Sequence, residues 1–198
     1  MDVTAAQLEA LKEIGNIGSG HAATSLSNLL QTRVNMSVPQ VWLVPLGKLT
    51  EVLGQLDSPQ AAIYLKIAGE TSGKAIFLFS LPSAQAVVNI LLRQDAETDI
   101  FSSELAQSAL KEVGNILVGS FIMALTEFSG VKLYSSIPAL GIDMIGAMIE
   151  TVLIEEGKID DNVLIFDTKM TGSAEMEGKF LFIPNEGSLE KLTRVFGL

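Results

Sequence analysis

Two glutamates in this chain each stand three residues ahead of an asparagine, Glu13 with Asn16 and Glu112 with Asn115. A carboxylate only accepts hydrogen bonds and an ammonium only donates them, whereas the asparagine amide does both and can fix the orientation of a water molecule. A glutamate one helical turn from that amide can hold a lysine of a partner and so set the partner's position relative to it. The composition restricts the chemistry to groups of this kind. There is no cysteine and a single histidine, His21, which removes most nucleophiles, general bases and soft metal ligands. His21 has no histidine or cysteine to join it. A dinuclear carboxylate centre built on Glu13 and Glu112 would call for histidines three residues on, where asparagines stand. No metal site is expected.

The two pairs belong to a repeat. Residues 10 to 17 read Ala-Leu-Lys-Glu-Ile-Gly-Asn-Ile and residues 109 to 116 read Ala-Leu-Lys-Glu-Val-Gly-Asn-Ile, seven of eight identical at an offset of 99. The same offset pairs Gly20 with Gly119, Leu26 with Leu125, Ser37 with Ser136 and Pro39 with Pro138. A second echo, Gly73-Lys74 before Phe77-Leu78-Phe79 and Gly178-Lys179 before Phe180-Leu181-Phe182, closes each copy. The chain therefore reads as one domain over residues 1–198 made of two units, about 4–97 and 103–198.

Each unit opens with a long helix. Thr4 can cap one running to about Leu30, and Ser102 or Ser103 its counterpart to about Phe128, with Gly130 as the stop. Apolar and β-branched runs follow at 34–45, 61–68 and 74–81, then at 131–144, 162–170 and 177–183. A shorter helix is expected after each set, near 83–92 and 188–196. The fold class is α+β, internally duplicated and pseudo-twofold, with a central sheet of about six strands, two long helices and two shorter ones.

At 100° per residue Glu9, Glu13, Asn16 and Gly20 share an arc of about 60° on the first helix, opposite Leu8, Leu11, Ala22, Leu26 and Leu29. Ser108, Glu112, Asn115 and Gly119 form the same stripe on the second, opposite Leu110, Leu117, Phe121, Leu125 and Phe128. Both Glu/Asn pairs should face outward. Gly15 and Gly114 fall on the buried side, where a missing side chain admits a close neighbour. A solvated helix face is the bland explanation of such a stripe. Duplication argues against it, because other outward positions have diverged, Asn28 against Glu127 and Gln31 against Gly130, while Glu and Asn persist.

Charge and hydropathy limit the partners. A net charge of −10 with 13 basic residues argues against nucleic acid, whose phosphates require clustered Lys and Arg. The most apolar stretch, Val113 to Leu125, contains Asn115 and Ser120 and falls short of the roughly 20 apolar residues of a membrane span. The first residues lack a secretory pattern, so a soluble, cytoplasmic protein is expected.

The pattern Glu, two residues, Asn, 22 residues, Pro occurs as Glu13, Asn16, Pro39 and again as Glu112, Asn115, Pro138. It resembles the signature of the CheC, CheX and FliY phosphatases of chemotaxis. The two copies and the chain length make the CheC type the nearest likeness. That family has Asp or Ser four residues before the Glu; Ser108 matches, and Glu9 departs by one methylene. The resemblance implies hydrolysis of the aspartyl phosphate on phosphorylated CheY, with Asn16 or Asn115 orienting water in line with phosphorus and Glu13 or Glu112 pairing with the regulator's lysine. Magnesium would belong to the regulator, leaving this chain no cofactor of its own. The resemblance further implies binding of CheD, the receptor deamidase, with Asp143 in Gly141-Ile142-Asp143-Met144-Ile145 as a docking residue. The competing function is a non-catalytic adaptor that holds phosphorylated regulator or controls CheD.

Two other signals lead elsewhere. Gly69-Glu-Thr-Ser-Gly73-Lys74 is one residue short of a phosphate-binding loop and precedes a strand, so it reads as a hairpin turn. Trp42 has Gly141 at its aligned place in the second unit and is expected under a loop or at a partner surface.

Overall fold

The computed structural model describes residues 4–54, 57–93, 98–154, 160–173 and 175–194. Helix α1 spans Ala5–Leu30 and helix α4 spans Glu104–Ser129. Both begin where the caps are written. The Thr4 hydroxyl accepts from the Gln7 N–H while Gln7 Oε1 accepts from the Thr4 N–H, a reciprocal box. Ser103, rather than Ser102, caps α4 by accepting from the Ala106 N–H. Gly130 ends it at φ 67°, a left-handed geometry that glycine adopts without penalty.

The strands are β1 (Asn35–Ser37), β2 (Val41–Pro45), β3 (Pro59–Gly69), β4 (Gly73–Ser80), β5 (Leu133–Ser135), β6 (Ala139–Met144), β7 (Asn162–Thr171) and β8 (Met176–Pro184). All pair antiparallel in one sheet. Across it run six positions, because β1 and β2 both pair with β7 along one edge and β5 and β6 both pair with β3 along the other. The expected runs 34–45 and 131–144 are these two edges, each divided just before or at its proline. Pro39 and Pro138 have no N–H to give a ladder and push the preceding residue out of register.

The repeats interleave. Hairpins β3–β4 and β7–β8 meet at the centre, where Phe77 faces Phe180, so the Phe-Leu-Phe echo flanks the pseudo-twofold axis. Each unit then lends its edge to the other: β1 and β2 of the first unit extend the second unit's hairpin, and β5 and β6 extend the first's. The long helices follow their edges. A Cβ on Gly15 would meet the Phe166 ring of β7 at 2.7 Å, and one on Gly114 would meet Ile63 of β3 at 2.5 Å, so the absent side chains let each helix lie directly on the opposite unit's hairpin. Gly18 does the same between the helices, where an added Cβ would stand 3.1 Å from the Phe121 Cα.

Helices α1, α3 (Leu81–Leu92), α4 and α6 (Ser188–Arg194) cover one sheet face around Leu11, Leu110, Phe121, Phe166 and Phe180. The short α2 (Thr50–Leu53) and α5 (Ile145–Ile154) cover the other, around Ile76, Ile149, Ile165 and Leu181. These two helices join the four expected ones. Helix α2 is a single turn, too short to show a period, and the apolar α5 continues the strand-like run of β6 directly, so periodicity announces neither. With both faces covered, β4 is buried from Gly73 to Phe79. Helix α4 is long and apolar enough to cross a membrane by length and composition, but 61% of its apolar window is buried in the fold, so its core contacts account for its apolarity. The expected end of the last helix at 196 and the unit boundaries at 97 and 198 lie outside the described residues.

Phe128, expected among the buried residues of α4, is 44% exposed; it sits in the last turn, where the helix ends. The 69–74 segment is the β3–β4 hairpin turn. Trp42 lies half-buried on the α5 side of the sheet, beneath Lys179, whose Nζ stands 5.7 Å from the ring centroid and pairs with Asp167 at 2.8 Å.

Candidate functional site

Glu9, Glu13 and Gly20 are exposed on α1 and Asn16 is half-buried among them. On α4, Ser108 and Glu112 are exposed, and Asn115 and Gly119 half-buried. Both stripes therefore face away from the sheet, as the 3.6-residue period requires. Each site is built on a helix whose inner face is fixed by a packed core, which holds the outer side chains on a rigid support.

The two asparagines differ in their surroundings. Asn16 Oδ1 accepts from the backbone N–H of Val38 at 3.1 Å. A backbone N–H can only donate, so the amide oxygen must face it and the NH2 group is left for other partners. Val38 precedes Pro39, so the Asn-to-Pro spacing has a structural meaning: the segment after α1 folds back and grips the asparagine. Two more bonds hold that segment. The Ser19 hydroxyl donates to the Asn16 carbonyl at 2.8 Å and reaches the Met36 carbonyl at 3.5 Å, and the Ser27 hydroxyl accepts from the Val34 N–H at 2.9 Å.

The second unit lacks these ties. Val118 occupies the place of Ser19 and has no hydroxyl to offer. The segment after α4 is drawn instead to β3, where the Ser136 N–H donates to the Lys66 carbonyl at 2.8 Å and the Ser136 hydroxyl accepts from the Lys66 N–H at 3.0 Å. Ile137 is consequently 90% exposed, whereas its counterpart Val38 is 1% exposed. Among the described residues Asn115 has no bond equivalent to that between Asn16 and Val38. Among those residues neither end of its amide is bonded.

Asp143 lies apart from both stripes. It sits on β6 opposite Gln60 of β3 and points to the α5 face of the sheet, since Leu140 and Ile142 point to the α4 face. It borders an open, mainly apolar cavity of about 540 Å³ formed with Tyr64, Met148, Ile149 and Val152. Among the described residues no group of three or more His, Cys, Asp or Glu gathers to hold a metal.

Sequence reasoning missed the Val38 contact and the contrast between Val38 and Ile137. The 22-residue spacing to proline was a signal for the first. Ser19 against Val118 was the signal for the second.

A match to the CheC-like family covers residues 7–43 and 105–142, the two stretches that carry the stripes and their prolines. Over 197 residues the chain is 32% identical to the CheY-P phosphatase CheC of Bacillus subtilis, covering 96% of this chain and 94% of that one. Its fold is that of FliY from Thermotoga maritima, with a TM-score of 0.77 and 20% identity over 100% of this chain and 98% of that chain. The CheX–CheY–BeF3–Mg complex of Borrelia burgdorferi contains a chain of the same fold, with a TM-score of 0.50, 18% identity, and coverage of 85% of this chain and 96% of that one.

Proposed function

The chain belongs to the CheC-like family, and from that premise we propose that it hydrolyses the aspartyl phosphate of a phosphorylated CheY-type response regulator, ending that regulator's signal in chemotaxis. The reading rests most directly on one observation: the Glu/Asn pair is presented outward on two rigid helices, and at the first site the amide's orientation is fixed by Val38. Structures of the same fold include one seated on CheY.

In this reading the partner's phosphoaspartate meets the stripe. Glu13 or Glu112 accepts from a regulator lysine and sets the register. Asn16 or Asn115 then orders one water opposite the leaving carboxylate. The water oxygen bonds to phosphorus, the phosphorus–aspartate bond breaks, and its electron pair returns to the carboxylate; the water's protons leave with inorganic phosphate and solvent. Positioning supplies the rate gain, and no strong base is needed. Glu9 and Ser108 support the stripe from the preceding turn. Magnesium, held by the regulator, offsets phosphoryl charge, so this chain needs no cofactor. The reaction belongs in the cytoplasm with its substrate.

CheD is the second partner in this reading. Asp143 and the apolar cavity beside it offer a docking place on the sheet face away from both stripes, so one chain can hold CheD and regulator together. Phosphate release from a phosphorylated CheY-type regulator, with and without CheD, tests the proposal. Binding without release would reduce the chain to an adaptor.

A further inference from the structure

All seven large hydrophobic side chains that stand strongly exposed among the described residues lie between 101 and 144, in the second unit or, for Phe101, in the turn just before it. Four of them lie on the stripe's own helix or on the segment that follows it. Leu105 is 60% exposed and Met123 44% exposed; at 100° per residue both point within about 20° of Glu112, before and beyond it on the same face. Tyr134 on β5, 64% exposed, lines one groove with Gly119 and Met123, and Ile137, 90% exposed, stands three residues further along the same segment. Between α4 and β5 lies an open groove of about 450 Å³ whose lining mixes Ile122, Met123, Leu133 and Tyr134 with Thr126, Glu127 and Ser135, so the stripe runs into a concave surface that is part apolar and part polar.

The first unit has the same stripe without the rim. Ala6 stands for Leu105, Thr24 for Met123, Asn35 for Tyr134 and the buried Val38 for Ile137. Helix duplication explains the shared Glu and Asn, but it gives no reason for one copy to expose four large apolar groups to water.

The size of a docked protein identifies what covers them. Along α4, Leu105 and Met123 lie roughly 15 Å and 12 Å from Asn115 at about 1.5 Å per residue. An ordinary interface of about 800 Å² per partner reaches roughly 16 Å from its centre. A regulator centred on Asn115 therefore covers both, and one centred on Asn16 meets the small Ala6 and Thr24 at those places instead. The turn before α4 is built to present this end: Asp99 accepts from the Phe101 N–H at 3.0 Å and from the Ser102 hydroxyl at 2.5 Å.

On the reading that the stripe meets a phosphorylated regulator, we infer that Leu105, Met123, Tyr134 and Ile137 are the apolar anchors of that regulator, and that they make the α4 site its tight docking site while the α1 site engages it weakly. The two sites share a catalytic pair and differ in affinity. Buried apolar anchors surrounded by polar contacts are what carry binding energy at protein interfaces.

Single-site proteins test this. Glu13→Lys leaves the α4 site, and Glu112→Lys leaves the α1 site. A beryllofluoride-activated regulator, in which beryllofluoride stands for the phosphoryl group, should bind the Glu13→Lys protein about tenfold or more tightly than the Glu112→Lys protein by calorimetry. Adding Leu105→Ser and Met123→Ser to the Glu13→Lys protein should abolish that advantage and raise KM for phosphate release with little change in kcat. Adding Ala6→Ser and Thr24→Ala to the Glu112→Lys protein should move neither. Equal affinities of the two single-site proteins, or a rim substitution that leaves affinity and KM in place, would overturn the inference. So would finding that the rim substitutions only dissolve a self-associated form, which would assign the rim to a second copy. The titration reads binding without turnover, so rim-dependent binding with no phosphate release would support the rim and sink hydrolysis alone.

Discussion

The backbone N–H of Val38 donates to Oδ1 of Asn16 at 3.1 Å, while the corresponding Ile137 is 90% exposed and Asn115 makes no such bond among the described residues. The asparagine proposed to order water in one unit thus also holds a buried main-chain donor. Its twin in the other unit has no such duty. Substitutions at the two asparagines should therefore agree in activity and disagree in stability.

Asn16→Ala leaves the Val38 N–H unpaired next to the core and should destabilise the fold by about 1–3 kcal/mol. Asn115→Ala should stay within about 0.5 kcal/mol, as substitutions at helix-surface positions without such a contact do. Asn16→Asp retains an oxygen for Val38 and should recover most of the loss. Denaturant melts of the three variants check this, and equal midpoints for the two alanine variants would count against the contact.

Phosphate release should fall partly in each single alanine variant and almost vanish in Asn16→Ala with Asn115→Ala. Each tenfold loss corresponds to about 1.4 kcal/mol of transition-state stabilisation. Unchanged release in the double variant would end the enzymatic reading.

Glu13→Lys with Glu112→Lys should weaken regulator binding as well as turnover, because the new ammonium groups oppose the regulator's lysine. Both glutamates are exposed, so the melting temperature should barely move. A large drop in melting temperature would mean that these carboxylates support the fold.

Gly15→Ala and Gly114→Ala insert a methyl where Phe166 and Ile63 already stand, at 2.7 Å and 2.5 Å from the new carbon. Overpacking of this kind costs about 1–3 kcal/mol, enough to exceed the gain of up to about 1 kcal/mol in helix propensity. Gly20→Ala, with nothing within 4 Å of its Cβ, should show the propensity gain alone. Thermal melts that ranked the three alike would contradict the close approach of helix and sheet.

Asp143→Lys should abolish CheD binding by calorimetry and leave unstimulated phosphate release unchanged, since the residue sits on the sheet face opposite the stripes. Normal CheD affinity would move the docking place elsewhere without touching the phosphatase reaction.

Local and periodic features were legible in the sequence. Thr4, Ser103 and Gly130 bound the long helices because caps act through hydrogen bonds within one turn of their own position. The outward Glu/Asn stripes and the inward Gly15 and Gly114 followed from the helical period, and the repeat announced itself by identity at a fixed offset. Strand pairing was not legible, because β3 and β7 would bury their faces equally well against an edge from either unit, and which edge reaches them depends on where the long helices lie. Nor could a matched pair of motifs reveal that one asparagine is clamped and the other free. That difference arises from Ser19 against Val118 and from Ser136 bonding to Lys66, contacts between segments that meet only once the sheet has assembled.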